Sequence, residues 1–181
     1  MKDLVKLSET EASYIKEGQE LDDGITTKAG KLIMKKWTHL TIQPTSLSAW
    51  PALIEQTARP SIFIHQINTQ RHFLMSTSVG GTVRTFDSLN LKTSTQLNKQ
   101  LDALYGIEKE RKSMKVRHKQ KGTTDCGLFA IAYATEIAEG TDFDALCRMK
   151  FNQNEMRSHL LECFEKQEIA RFPRVEGCEK K

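Results

Sequence analysis

The strongest hydrophobic pattern in the chain is Leu128-Phe129-Ala130-Ile131-Ala132-Tyr133-Ala134, which is apolar nearly all round a helical wheel. A helix with no polar face belongs in the centre of a domain. It is expected to run from Cys126 to about Glu139, capped by Thr123-Thr124-Asp125 and stopped by Gly140. A second helix is predicted from Leu21-Asp22-Asp23-Gly24 to about Trp37, with Asp22 or Asp23 as N-cap and Ile25, Leu32 and Ile33 as its apolar stripe. Leu97, Leu101 and Leu104 recur at i, i+4 and i+7 between Thr93 or Ser94 and Gly106, which defines a third. Asp142 to Lys150 and Asn154 to Gln167 read as two amphipathic helices, and a short helical pattern surrounds Trp50 to Gln56.

Between these lie the strand candidates. Ser61–Ile67 is β-branched and aromatic, as a buried strand should be; His72–Thr77 and Thr82–Ser88 follow, joined by a turn at Gly80-Gly81. Met114–His118 is a further short strand candidate, and Arg171 to Lys181 reads as a polar tail. Helix, strands, helix, strand and then helices make an α+β domain.

At 181 residues, with 38% apolar and 28% charged positions, the chain can bury one ordinary core, so a single domain over 1–181 is expected. A net charge of +4 is too small to indicate nucleic-acid binding by itself. The four cysteines, Cys126, Cys147, Cys163 and Cys178, are unevenly spaced and do not form a disulfide framework, which fits a reducing compartment. The first ten residues contain no apolar run, and no stretch approaches a membrane span, so a soluble intracellular protein, cytoplasmic or nuclear, is expected.

Chemistry concentrates at the start of the buried helix. Cys126 lies in its first turn, where unpaired backbone N–H groups and the helix dipole favour an anion. A lone cysteine in an apolar helix is more often core than nucleophile, so its neighbours decide. A hairpin turn centred between Val79 and Gly80 sets His72 directly opposite Asp87, and a turn at Gly80-Gly81 keeps both on one sheet face, diagonally placed. A carboxylate there can accept a hydrogen bond from the imidazole. By geometry alone, a polar pair on a solvated sheet face is an equal alternative.

Gln120-Lys121-Gly122-Thr123-Thr124-Asp125-Cys126-Gly127 resembles the nucleophile motif of the SUMO/sentrin-specific (ubiquitin-like-protein-specific) cysteine proteases, in which a glutamine stands six residues before an Asp-Cys-Gly cysteine. His72-Phe73 resembles the family's strand-initial histidine and aromatic, Phe86-Asp87-Ser88-Leu89-Asn90 its aspartate-bearing strand end, and Leu21-Asp22-Asp23 the entry to its first helix. The likeness spans about 21–172 and looks closer to divergent members, including those of mobile elements, than to housekeeping SUMO proteases. It implies a papain-like fold, with a small antiparallel or mixed sheet packed against the nucleophile-bearing helix. It also implies Cys126 as nucleophile, His72 as general base and Asp87 as its orienter. Gln120 would join the Cys126 N–H as an oxyanion donor, and Phe73, Glu20, Asp22 and Asp125 would contact substrate.

Three positions depart from the pattern. Phe73 replaces the tryptophan that usually follows the histidine, Glu20 stands where members that clamp a diglycine tail have another tryptophan, and Gly122 replaces an asparagine. None removes a catalytic atom, while the first two alter the expected channel wall. The implied activity is peptidase or isopeptidase cleavage of a ubiquitin-like modifier, SUMO, ubiquitin or a relative, from its precursor or conjugates. A silent modifier binder and a viral-type polyprotein protease are the alternatives. An intact Cys, His, Asp and Gln set favours the enzyme, since a binder has no physical need of all four. No cofactor or membrane partner is expected, and the chain is expected to act as a monomer.

Two further features carry other readings. Glu108 to Lys121 holds seven Lys or Arg residues against two Glu with no interleaved aromatics, which suits a solvated loop and edge strand or a dock for an acidic protein or nucleic acid. His159 and Cys163, at i and i+4, could share a metal with Cys147 or Cys178, but no Cys-x-x-Cys pairing supports a zinc site. His39, His65 and His118 are expected to be structural or surface residues.

Overall fold

The computed structural model describes residues 3–68 and 71–177. Its elements, in chain order, are α1 (Glu9–Lys16), α2 (Asp23–Lys36), β1 (Thr41–Ile42), short 3-10 turns at Thr45–Ala49 and Pro51–Leu53, β2 (Ser61–Ile67), β3 (His72–Thr77), β4 (Val83–Phe86), α3 (Thr95–Tyr105), β5 (Arg111–Met114), α4 (Cys126–Glu139), α5 (Phe143–Arg148) and α6 (Gln153–Lys166). The five strands form one mixed sheet in sequence order: β2, β3 and β4 are antiparallel, while β1 and β5 add to the edges in parallel. The α+β class follows from this arrangement.

Both faces of the sheet are covered, and this explains why β2 reads as a continuous apolar run rather than an alternating one. Ile62, Ile64, Phe73 and Met75 pack into the main core with α2, α4 and α6. Phe63, Ile67, Leu74 and Val83 pack against Leu97, Leu101, Leu104 and Tyr105 of α3 on the other side. Within that second core His65 spans Gln100 Oε1 at 2.7 Å and Ser76 Oγ at 2.6 Å, and Ser76 in turn meets the Tyr105 hydroxyl at 2.7 Å. Burial drives His65 down to about 4 against the opposing bond to Gln100, so it is a neutral structural histidine.

The cap residues act largely as expected. Asp22 accepts from Ile25 N–H at 2.8 Å and Ser94 from Leu97 N–H at 3.1 Å, while Gly106 and Gly140 end α3 and α4 with positive φ. The turn between β3 and β4 uses Gly80 and Gly81, both at positive φ, and Met75 pairs with Phe86 and Thr77 with Arg84. The diagonal relation of His72 and Asp87 is therefore the one realised, rather than the directly opposed pair.

Three expectations need correction, and one helix was not predicted. α1 is a helix in the charged N-terminal segment, set by a capping box in which Ser8 and Glu11 bond each other's backbone N–H. β5 lies at Arg111–Met114, earlier than the apolar stretch suggested, because an edge strand paired to β4 needs only its backbone in register. The pattern around Trp50 to Gln56 yields a 3-10 turn, Pro51–Leu53. The tail from Arg171 is partly docked: Phe172 is buried, Phe151 and Arg174 form a β-bridge, and Arg171 pairs with the buried Glu136.

Candidate active site

The head of β3, the segment just past β4 and the head of α4 converge. His72 Nε2 lies 2.6 Å from Asp87 Oδ1, and Cys126 hydrogen-bonds the same ring. All three side chains are buried. Burial alone would lower the His72 pKa, but the bonds to Asp87 and Cys126 and the charges of both outweigh it and raise His72 to about 9. The ring is thus held as imidazolium at neutral pH, between a carboxylate on one side and a sulfur on the other. The backbone N–H of Phe73 donates to Cys126 Sγ at 3.4 Å, an interaction no sequence pattern announces.

The N-terminus of α4 stays open because its cap residue is engaged elsewhere. Asp125 occupies the N-cap position yet makes no side-chain cap bond. Its carboxylate instead receives Arg157 Nη2 at 2.5 Å, Arg157 Nε at 3.2 Å and Gln153 Nε2 at 2.6 Å. The first N–H groups of the helix, Cys126's among them, keep no side-chain acceptor and remain available to an anion. Gly127 then lets α2's entry cross tightly, since a Cβ there would stand 3.2 Å from Leu21 Cβ.

Gln120 is buried, and both ends of its amide are specified. The Ser88 hydroxyl donates to Gln120 Oε1, and Gln120 Nε2 donates to Gly122 O at 3.0 Å. A carbonyl oxygen can only accept, so Gly122 O demands the amino end; the second N–H of that amide remains for another acceptor. Gly122 has φ +74, in the left-handed region that glycine and asparagine both tolerate, and this gives the Gly-for-Asn departure a backbone reason.

The stretch Asp87 to Asn90 organises these groups. Asp87 Oδ1 accepts from Leu89 N–H at 2.8 Å as well as from His72. Ser88 O accepts Gln120 N–H at 3.1 Å, and Asn90 exchanges two bonds of 2.9 Å with the backbone of Val116. Ser88 is 1% exposed and was not singled out from sequence; the available signal was a polar Asp-Ser-x-Asn stretch directly after a buried strand.

Of the remaining expected contact residues, Phe73 is buried beside Cys126, Glu20 is exposed, and Asp22 and Asp125 spend their carboxylates on the α2 cap and on Arg157 with Gln153. His159 Nε2 lies 2.9 Å from Ala170 O and 3.5 Å from Cys163 Sγ, so that pair is satisfied within α6 and the segment after it. Cys178 lies outside the described residues, and among those described no group of three His, Cys, Asp or Glu could hold a metal. No described helix is long and apolar enough to cross a membrane.

The chain has the fold of the SUMO protease Ulp1. It superposes on the yeast Ulp1 protease domain solved in complex with Smt3, the yeast ortholog of SUMO, with a TM-score of 0.66 and 14% identity over 92% of this chain and 86% of that one. A de-sumoylating protease gives 0.65 and 13% identity over 89% and 86%, and the ASFV protease 0.62 and 12% over 81% and 68%. No family model and no curated protein matches the sequence.

Proposed function

We propose that the protein is a cysteine peptidase or isopeptidase that releases a ubiquitin-like modifier from its precursor or conjugates, with Cys126 as nucleophile, His72 and Asp87 completing a triad, and Gln120 as oxyanion donor. The observation that carries this reading is the contiguous chain of contacts from Asp87 through His72 to Cys126, with Gln120's amide held by Ser88, the chain neighbour of Asp87. The Cys126 thiolate attacks the scissile carbonyl carbon, and negative charge moves onto the carbonyl oxygen, met by the Cys126 N–H and the Gln120 amide. His72 gives its proton to the departing amine, leaving a thioester. Water then adds to the thioester, His72 taking one of its protons; the intermediate expels the Cys126 thiolate, and the carboxylic acid product gives its remaining proton to solvent. Asp87 holds the ring in the required orientation and offsets its charge throughout. The modifier class is supported by the neighbour solved with Smt3. Phe73 and Glu20, in place of two tryptophans, bear on which tail enters rather than on the chemistry.

The test is a panel of ubiquitin-like modifiers, SUMO and ubiquitin included, each bearing a C-terminal electrophile, with polyprotein-type peptide electrophiles alongside. One covalent adduct per chain is expected, lost in Cys126→Ala. Adducts only with peptides would reassign the substrate, and no adduct with any probe would remove the enzymatic reading in favour of a silent binder.

A further inference from the structure

An open cleft of about 510 Å³, with Asp125 in its lining, lies between the loop carrying Arg117 to Lys121 and the segment entering α6. Arg117, Lys119, Lys121 and Lys150 line it. Its walls are tied together: Gln153 bonds Lys121 N–H and Lys121 O, each at 2.8 Å, and Val175 N–H bonds Lys150 O at 2.8 Å. The carboxylate in its wall, Asp125, is already taken by Arg157 and Gln153. None of the ion pairs found among the described residues involves Lys119, Lys121 or Lys150. The cleft thus holds excess positive charge within a walled volume, where field is focused more than on an open surface. His118, also in the lining, is held below the ordinary histidine value, first by desolvation and then by the charges of Lys150 and Arg117.

We propose that this cleft docks an acidic, Asp- and Glu-rich stretch of the substrate protein while its scissile bond lies at Cys126. The placement rests on the function proposed above. Lys121 and Asp125 both lie in the segment between Gln120 and Cys126, so the cleft lining is continuous in the chain with the proposed site. A peptide suits the volume, which falls in the range of pockets that take small ligands or a few side chains. Nucleic acid suits it less: Phe129 and Phe151, the aromatics in the lining, are 3% and 6% exposed and give bases no platform for stacking.

The experiment uses the full chain carrying Cys126→Ser and a fluorescent glutamate-rich peptide, its glutamine counterpart, and a single-stranded oligonucleotide of equal charge. Anisotropy is expected to give about ten-fold tighter binding of the glutamate peptide than of the glutamine one, an advantage lost at high salt. The same advantage is expected to vanish in Lys119→Glu/Lys121→Glu and in Lys150→Glu, and to persist in Lys31→Glu, an exposed lysine outside the cleft lining. Equal affinity for the two peptides, an acid preference indifferent to both charge reversals, or tighter binding of the oligonucleotide would each overturn the proposal. Binding is read here without turnover. Absence of an acid preference in the Cys126→Ser chain therefore counts against the cleft alone, while failure of the electrophile panel on the unmodified chain counts against the catalytic reading alone.

Discussion

Ser88 grips Gln120 twice, through its carbonyl to the backbone and through its hydroxyl to the side chain. Its role in the proposed mechanism is to hold the amide aimed before charge develops, and pre-aimed donors are what make an oxyanion site effective. Gln120→Ala should lower kcat by about 10²–10³ with little change in KM, as removal of one such donor does elsewhere. Ser88→Ala should lower kcat by a smaller factor, also with KM unchanged, and should add nothing further in the Gln120→Ala background. Additive losses in that double-mutant cycle would mean that Ser88 acts independently of Gln120. The two buried histidines make a second prediction, in pH. His65 is depressed to about 4, so the unfolded chain binds its proton first, and stability present above about pH 6.5 is lost as pH falls towards 4. His72 is raised to about 9, so its contribution is complete below about pH 6.5 and is lost as pH rises through 9. Urea midpoints should therefore peak near pH 6.5. Asp87→Asn should flatten the alkaline limb and His65→Gln the acid one.

At the scale of elements, Gly127 lets α4 and the entry to α2 approach closely, since a Cβ there would stand 3.2 Å from Leu21 Cβ. Gly127→Ala would press a methyl against Leu21 and should cost about 1–3 kcal/mol by overpacking, read as a lowered urea midpoint. The motif's glycine thus has a packing reason beside its place next to the cysteine. Elements with a strong period were legible in advance: the limits of β2, β3 and α4 and the caps of α2 and α3 follow from apolar runs, Asp, Ser and Gly. β1 was not, being two residues with no period to detect, and β5 was displaced because its side chains are mostly outside the core while its backbone pairing decides its limits. Strand parity put His72 and Asp87 on one sheet face, and the resemblance made them a functional pair. Ser88 and Gln120 could not be paired in advance, because 32 residues separate them and nothing in either local pattern names the other.

Across the whole molecule, distant segments are pinned around α4 by a few polar ties. Arg157 of α6 reaches both Asp125 and the carbonyls of Tyr14 and Ile15 at the end of α1, and Gln167 bonds Val5 N–H and Val5 O at 2.7 Å each. Arg171 closes the other end on Glu136, which is 0% exposed and also receives the Thr141 hydroxyl at 2.6 Å. Arg171→Ala would strand that carboxylate, at a cost of about 2–3 kcal/mol once the partial exposure of the arginine is allowed for. Adding Glu136→Gln should recover part of the loss in thermal unfolding; no recovery would mean that Arg171 stabilises through packing alone.

The burial of α4 has a consequence on the clock of amide exchange. Every residue from Cys126 to Ala138 is buried, against the sheet on one side and against helices on others, so beyond its first turn the helix has no solvent-facing amide to trade protons locally. Such protons exchange only through opening of the entire domain. The slowest deuterium uptake in the chain should therefore map to Ala130–Ala138, at a rate that follows global stability as denaturant is added. Heat should therefore end the slow uptake of this helix and the compactness of the chain in a single step, while alkylation of the buried Cys126 thiol rises as the fold opens.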